Sequence, residues 1–249
     1  MKILCIISVI LHVIMGQSGY EIAKMVDERN KPKDQSSKTT MILTNSKGRT
    51  RTSTIYSKIL NGGEKQILWF MAPADDKGVS FLKIEHEGKD DEMRMWLPAF
   101  KKIRRITAKK KGDSFMGSDL SYEDMSNRNL EENEYKRLED EMVDSLACYV
   151  LEVIPKKEVK SSYSKHKSWI HKKTLSAVKE ESYDKKGKLK KVKSFQSKRM
   201  GDYYILSSVF VKDVQKEHTT KVVFEDLKVD TGIEDKLFQE KNLKRLPPQ

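Results

Sequence analysis

Apolar residues open the chain as a block. After Lys2, residues 3–15 are apolar except for Ser8 and His12, and small or polar residues follow. A charged start, a short apolar run and a small-residue exit form the layout of a secretory leader. The run has 13 residues, short of the roughly 20 that a bilayer-spanning helix needs, so a retained membrane anchor is the weaker alternative. Gly16 and Ser18 put small side chains third-from-last and last in the leader, which predicts cleavage after Ser18. The pattern then becomes helical: Tyr20, Ile22, Ala23, Met25 and Val26 recur at helix spacing and stop at Asn30-Lys31-Pro32.

From Lys38 the period drops to two. Met41 and Leu43 alternate with Thr40, Ile42 and Thr44, and Asn45-Ser46-Lys47-Gly48 predicts a hairpin turn into a return strand over 49–60 that ends at Asn61-Gly62-Gly63. Residues 66–72 are apolar on both phases, as in a covered sheet. Strands follow over 79–84 and 93–98, the alternation lapses between 112 and 134, and seven more are predicted over 135–138, 148–154, 165–171, 175–183, 188–195, 203–211 and 219–227. Residues 233–243 read as a short helix or a wrapped segment. About a dozen strands at spacings of about 10 residues, without helical crossovers, predict one antiparallel sandwich or barrel.

Removing 18 residues from 249 leaves 231, which suits a single all-β domain over 19–249; neither a linker nor a repeat divides it. Charged residues make up 35% and hydrophobic ones 37%, but the latter come in dense blocks, which argues against general disorder. Cys5 falls in the leader and Cys148 is left alone, so an internal disulfide is excluded from the mature chain. The net charge of +12, or +11 without Lys2, favours anionic partners. Outside the cytoplasm these are phospholipid head groups before nucleic acid.

Candidate chemistry is sparse. Gly112-Asp113-Ser114 has the look of a hydrolase nucleophile block, but that serine would need a later Asp-x-x-His, which the sequence lacks. His86, His166, His171 and His218 are scattered; His166 and His171, five apart, fall on opposite faces of a strand and read as exposed. No Cys or His pair has metal-ligand spacing, and Asn61-Gly62-Gly63 reads as a turn rather than a phosphate loop. The sequence therefore predicts neither an enzyme nor a cofactor. Basic clusters lie at Lys101-Lys102-Ile103-Arg104-Arg105, at 109–111 and at 185–191; the first sits beside Trp96 and Phe100, the composition of a membrane or partner contact.

Residues 77–82, Trp96-Leu97-Pro98-Ala99, 102–105, 112–119, Tyr122-Glu123-Asp124, Glu152-Val153-Ile154-Pro155 and 238–243 resemble, in order, the outer-membrane lipoprotein-sorting protein family, a branch of the LolA-like carriers. The resemblance implies a mainly β fold, an unclosed antiparallel β-barrel with short helices over its concave face. It also implies a role: carrying acyl chains of lipids or lipoproteins through the periplasm, as a monomer that meets an anionic membrane or an envelope transporter. A lipid-sensing or scaffold module on the same barrel is the alternative. The best-studied carriers hold a helical lid with an arginine inside the barrel; Arg94, Arg104 and Arg105 are the candidates here. Leu146-Ala147 stands where a turn glycine is expected. From strand phase, the cavity lining is expected to be Met41, Leu43, Leu68, Phe70, Leu82, Ile84, Met93, Met95 and Leu97, and the docking cluster Trp96, Phe100, Lys101, Lys102, Arg104 and Arg105.

Overall fold

The computed structural model describes residues 17–247, so most of the leader lies outside the described residues. The first element is helix α1 (Gly19–Asp27). Ser18, the residue after which cleavage is expected, is its N-cap: its hydroxyl accepts from the Glu21 N–H while Glu21 accepts from the Ser18 N–H. Gly19 is required by close approach, since a Cβ there would stand 2.7 Å from the Tyr135 carbonyl oxygen.

Thirteen strands follow: β1 (Asp34–Thr44), β2 (Thr50–Leu60), β3 (Lys65–Ala72), β4 (Ser80–Ile84), β5 (Glu92–Leu97), β6 (Lys102–Ile106), β7 (Asn133–Val143), β8 (Leu146–Pro155), β9 (Tyr163–His171), β10 (Ala177–Asp184), β11 (Leu189–Met200), β12 (Tyr203–Asp213) and β13 (His218–Val229). They form one antiparallel sheet in the order β6-β5-β4-β3-β2-β1-β13-β12-β11-β10-β9-β8-β7. Two meanders, β1–β6 and β7–β13, join where β1 pairs with β13. The sheet does not close: β6 and β7 are its edges. The expected unclosed barrel is what the chain forms. Strand β6 was legible as a basic cluster and not as a strand, because Lys102, Arg104 and Arg105 interrupt any apolar phase. The structure extends the predicted strands at 135–138 and 188–195 to Asn133–Val143 and Leu189–Met200, through exposed ends without an apolar repeat.

Each face of the sheet is covered where it is apolar. Residues 107–132 leave β6, cross the concave face with a series of tight turns, and enter β7; we call this segment the plug. Helix α1 covers the same face further along, where Ile22 and Ala23 pack on Leu151, Val153 and Ile170. The segment after β13 folds back over the convex face of β2–β6, with Phe238 and Leu243 against Ile67, Trp69 and Leu82. That double cover explains why 66–72 is apolar on both phases: Leu68 and Phe70 face inward, Ile67 and Trp69 outward.

Candidate functional site: the plugged concave face

In an antiparallel sheet, directly paired residues share a face, so the register maps the concavity. Leu68 pairs with Phe81 and Phe81 with Met95, and these side chains join Met41, Leu43, Phe70, Met93, Val209, Val211 and Val222 in one buried cluster. The plug supplies the other half of it. Phe115 lies 5.3 Å from Phe81 and 6.1 Å from Phe70, ring centre to ring centre, and 5.7 Å from Tyr122. Met116, Leu120 and Met125 extend that apolar underside.

Seven of the nine expected lining residues, Met41, Leu43, Leu68, Phe70, Met93, Met95 and Leu97, belong to this cluster. Leu82 and Ile84 do not. Leu82 pairs with Ile67 and Arg94, on the convex face, and both side chains pack under the C-terminal segment. The phase containing Val79, Phe81 and Lys83 faces inward instead, and Lys83 misled the choice of phase: it is 2% exposed, with its ammonium 2.5 Å from Glu85. Burial pushes the Lys83 pKa down against the pull of Glu85.

Beyond the apolar half, the concave row changes character. Ser168, Glu180, Lys193 and Val211 stand side by side on β9–β12, and His166, Ser182 and Lys191 form the next row. The plug lowers two charged side chains onto them. Asp124 meets Lys191 at 2.8 Å and is also paired with Lys193, and it accepts from the Tyr163 hydroxyl at 2.9 Å. Arg128 forks onto Glu180 at 2.5 and 2.8 Å, and Lys193 reaches Glu180 at 3.1 Å. Asp124, Lys191 and Lys193 side chains are 3–5% exposed. The five charges thus form a mutually satisfied latch between plug and sheet, buried except for the Arg128 side chain, which is 36% exposed.

The electrostatics follow. Burial opposes charge on Asp124, but Lys193 and Lys191 outweigh it and hold that carboxyl well below the usual carboxylate range. Burial opposes charge on Glu180 too, and Arg128 and Lys193 likewise keep it ionised. His166 is buried, correcting the expectation of an exposed ring: Arg128 donates to its Nδ1 at 3.2 Å, and Ser182 Oγ lies 2.9 Å away. Burial first and Arg128 second push its pKa down to about 3. Sequence reasoning missed this latch entirely. Its one visible trace was the pair of lysines spaced two apart on β11, Lys191 and Lys193, which share an inward phase.

Among the arginine candidates, Arg94 and Arg105 pair with each other on the convex face, and Arg94 is held there by Glu92 at 2.6 Å. Arg104 pairs with Met95 at the exposed concave rim. The arginine that fixes the cover is Arg128, on the plug itself. In the docking cluster, Phe100 is 70% exposed at the tip of the β5–β6 hairpin, and Lys101, Lys102, Arg104 and Arg105 are exposed beside it. None of the four has an ion-pair partner among the described residues. Trp96 differs: it packs with the C-terminal segment, under Lys244. Ser114 donates to the Ser118 carbonyl oxygen at 2.5 Å inside the plug, as a turn residue does. No group of three metal-ligating side chains occurs among the described residues.

Comparisons with known proteins agree with this architecture. A sequence-family profile that carries the description "uncharacterized protein" matches residues 62–245. No curated protein matches the chain. The solved domain described as an outer membrane lipoprotein-sorting protein from Vibrio parahaemolyticus shares 32% identity over 91% of this chain and 98% of its own, with a TM-score of 0.86. A DUF1329 family protein from Desulfovibrio piger shares 29% identity over 90% of this chain and 97% of its own, also at 0.86. A LolA superfamily protein from Nitrosomonas europaea has the same fold at 16% identity, with a TM-score of 0.72 over 91% of this chain and 99% of its own. With that identity and coverage, the chain belongs to the outer-membrane lipoprotein-sorting protein family, within the LolA-like fold.

Proposed function

We propose that the protein is a periplasmic carrier that binds acyl chains of lipids or lipoproteins against its concave face after the plug swings aside. The observation that carries this reading is the construction of the interior. One wall is the apolar half of the sheet's concave face, and the other is a single non-sheet segment whose attachment beyond its own apolar residues is polar. Moving that segment exposes apolar surface without breaking a strand pairing. A 16-carbon chain leaving a bilayer for water would cost on the order of 12 kcal/mol at ~0.8 kcal/mol per CH₂. Taking the place of Phe115, Met116, Leu120, Tyr122 and Met125 would let the chain inherit their contacts with Phe70, Phe81 and Met95.

The β5–β6 hairpin is the docking element in this reading, with Phe100 and its four exposed cations meeting the donor or acceptor surface. Each basic residue near an anionic membrane contributes about 1 kcal/mol, enough in sum for reversible attachment. The scaffold alternative rests on one observation, the latch itself, since a plug held by five mutually paired charges, four of them buried, also suits a module that never opens. Native mass spectrometry with lipid extraction of protein isolated from the periplasm separates the two. A co-purifying acyl lipid supports the carrier; an empty protein in a stoichiometric complex supports the scaffold.

A further inference from the structure

The concave face carries a second polar patch, away from the latch, at the mouth where β1, β2 and β13 end. The register sets Arg51, Leu43 and Thr220 in one cross-strand row. One step outward, Asn45 and Arg49 join through an Asn45 N–H to Arg49 carbonyl bond of 3.0 Å, with His218 on the adjoining strand. A cavity of about 270 Å³ opens there, lined by Leu43, Asn45, Arg49, Thr50, Arg51 and His218. Every polar side chain in that lining can donate a hydrogen bond, and no carboxylate lines it.

The patch is built rather than incidental. His218 Nδ1 lies 2.7 Å from Asp119 Oδ2, which also accepts from the fully buried Thr220 hydroxyl at 2.7 Å. A carboxylate fixed in this way accepts the Nδ1–H hydrogen bond and orients the ring, so that in the protonated ring Nε2–H is the donor that faces the cavity. Arg51 is positioned by Asp76 at 2.7 Å, whereas the Arg49 guanidinium has no ion-pair partner among the described residues. A further acid on this face, Asp213, pairs in register with His218 but is occupied by the backbone N–H groups of Gln215 and Lys216, both at 3.1 Å. Asp119 belongs to the plug, and so does Gly117, where a Cβ would touch Leu43 Cδ2 at 3.7 Å. Leu43 in turn is part of the apolar interior. The mouth is therefore a donor-lined opening whose floor is the apolar interior and whose lid is the tip of the plug.

We propose that this mouth binds the phosphate of an amphiphile's head group, through Arg49, Arg51 and His218, while its acyl chain passes Leu43 into the concavity. The inference rests on the carrier reading and adds to it the chemical class of the cargo: anionic, phosphate-bearing and acylated. Free inorganic phosphate offers the same anion without the chain, so the test contrasts the two.

The mature protein, labelled with ¹⁵N at histidine, is titrated with dihexanoylphosphatidylglycerol, with inorganic phosphate and with the uncharged octyl maltoside, following the His218 ring resonances. The phospholipid is expected to shift the His218 resonances and to bind at least about tenfold more tightly than phosphate. Arg49→Gln should weaken it by about tenfold, the value of one charge-assisted contact, and leave maltoside binding and Tm unchanged, because Arg49 is exposed. Equal binding of the phospholipid by parent and Arg49→Gln, or an unmoved His218, overturns the assignment of the mouth while maltoside binding keeps the carrier reading alive. A response to inorganic phosphate as strong as to the phospholipid overturns the head-group role and leaves an anion site. Failure of every amphiphile to bind the parent removes the carrier reading and this inference with it.

Discussion

Asp124→Asn should release the plug while leaving the sheet folded. The substitution keeps the shape and the acceptor toward Ser121 but removes the charge that faces Lys191 and Lys193. Lys193 retains Glu180 at 3.1 Å, so it stays compensated. Lys191 is left with the Tyr163 hydroxyl at 2.7 Å as its nearest polar partner, a neutral group. One orphaned buried charge costs about 3–5 kcal/mol. The ammonium can escape by losing its proton, which at pH 7 caps the cost near 4.6 kcal/mol for a group with a reference pKa of about 10.4. A shift of roughly 3–4.6 kcal/mol in the opening equilibrium lowers amide protection by about two to three orders of magnitude. Hydrogen exchange read by mass spectrometry should show that loss over 113–126, with β12 and β13 unaffected. Adding Lys191→Met, which removes the orphan, should recover much of the protection. Unchanged exchange in the plug, an equal loss throughout the sheet, or no recovery in the double variant would refute the latch.

Acid should loosen the same contact. Because the folded pKa of His166 is pushed down to about 3, the state in which His166 is exposed binds the extra proton between that value and about 6.5. Stability is therefore lost as pH falls below about 6.5, by up to roughly 1.4 kcal/mol per unit, and His166→Gln should flatten that part of a Tm-against-pH profile. The two faces of β4 should answer mutation differently. Leu82→Ala should cost about 2–5 kcal/mol in denaturant melts without changing acyl binding, whereas Phe81→Ala should reduce both. Replacing Lys101, Lys102, Arg104 and Arg105 with Gln should abolish sedimentation with anionic vesicles at low salt and leave Tm unchanged, since all four are exposed.

The fold was legible in the sequence because strand patterning is local. Met41 and Leu43, or Met93 and Met95, announce an inward phase by alternation alone. That rule failed at β4, where the C-terminal segment makes the outer phase apolar as well and Lys83 makes the inner phase look polar. It failed at β6, whose exposed cations leave no apolar phase to read. The latch was invisible for a different reason: Asp124 and Arg128 lie between 52 and 69 residues from Glu180, Lys191 and Lys193, and charged residues in a polar loop read as solvated until the fold brings them together. The same holds for the 99 residues between Asp119 and His218.

The central claim is that acyl chains occupy the concave face in place of the plug, and photoaffinity labelling tests it most directly. A palmitoyl probe with a diazirine near its methyl end is bound to the mature protein, irradiated, and the adduct mapped by peptide sequencing. The account predicts labelling on the inward phase of β3–β5, at Phe70, Phe81 or Met95, stronger in Asp124→Asn than in the parent. Labelling confined to the outward side chains Leu82, Ile84 or Trp96, or none above that of an uncharged soluble diazirine, would contradict it.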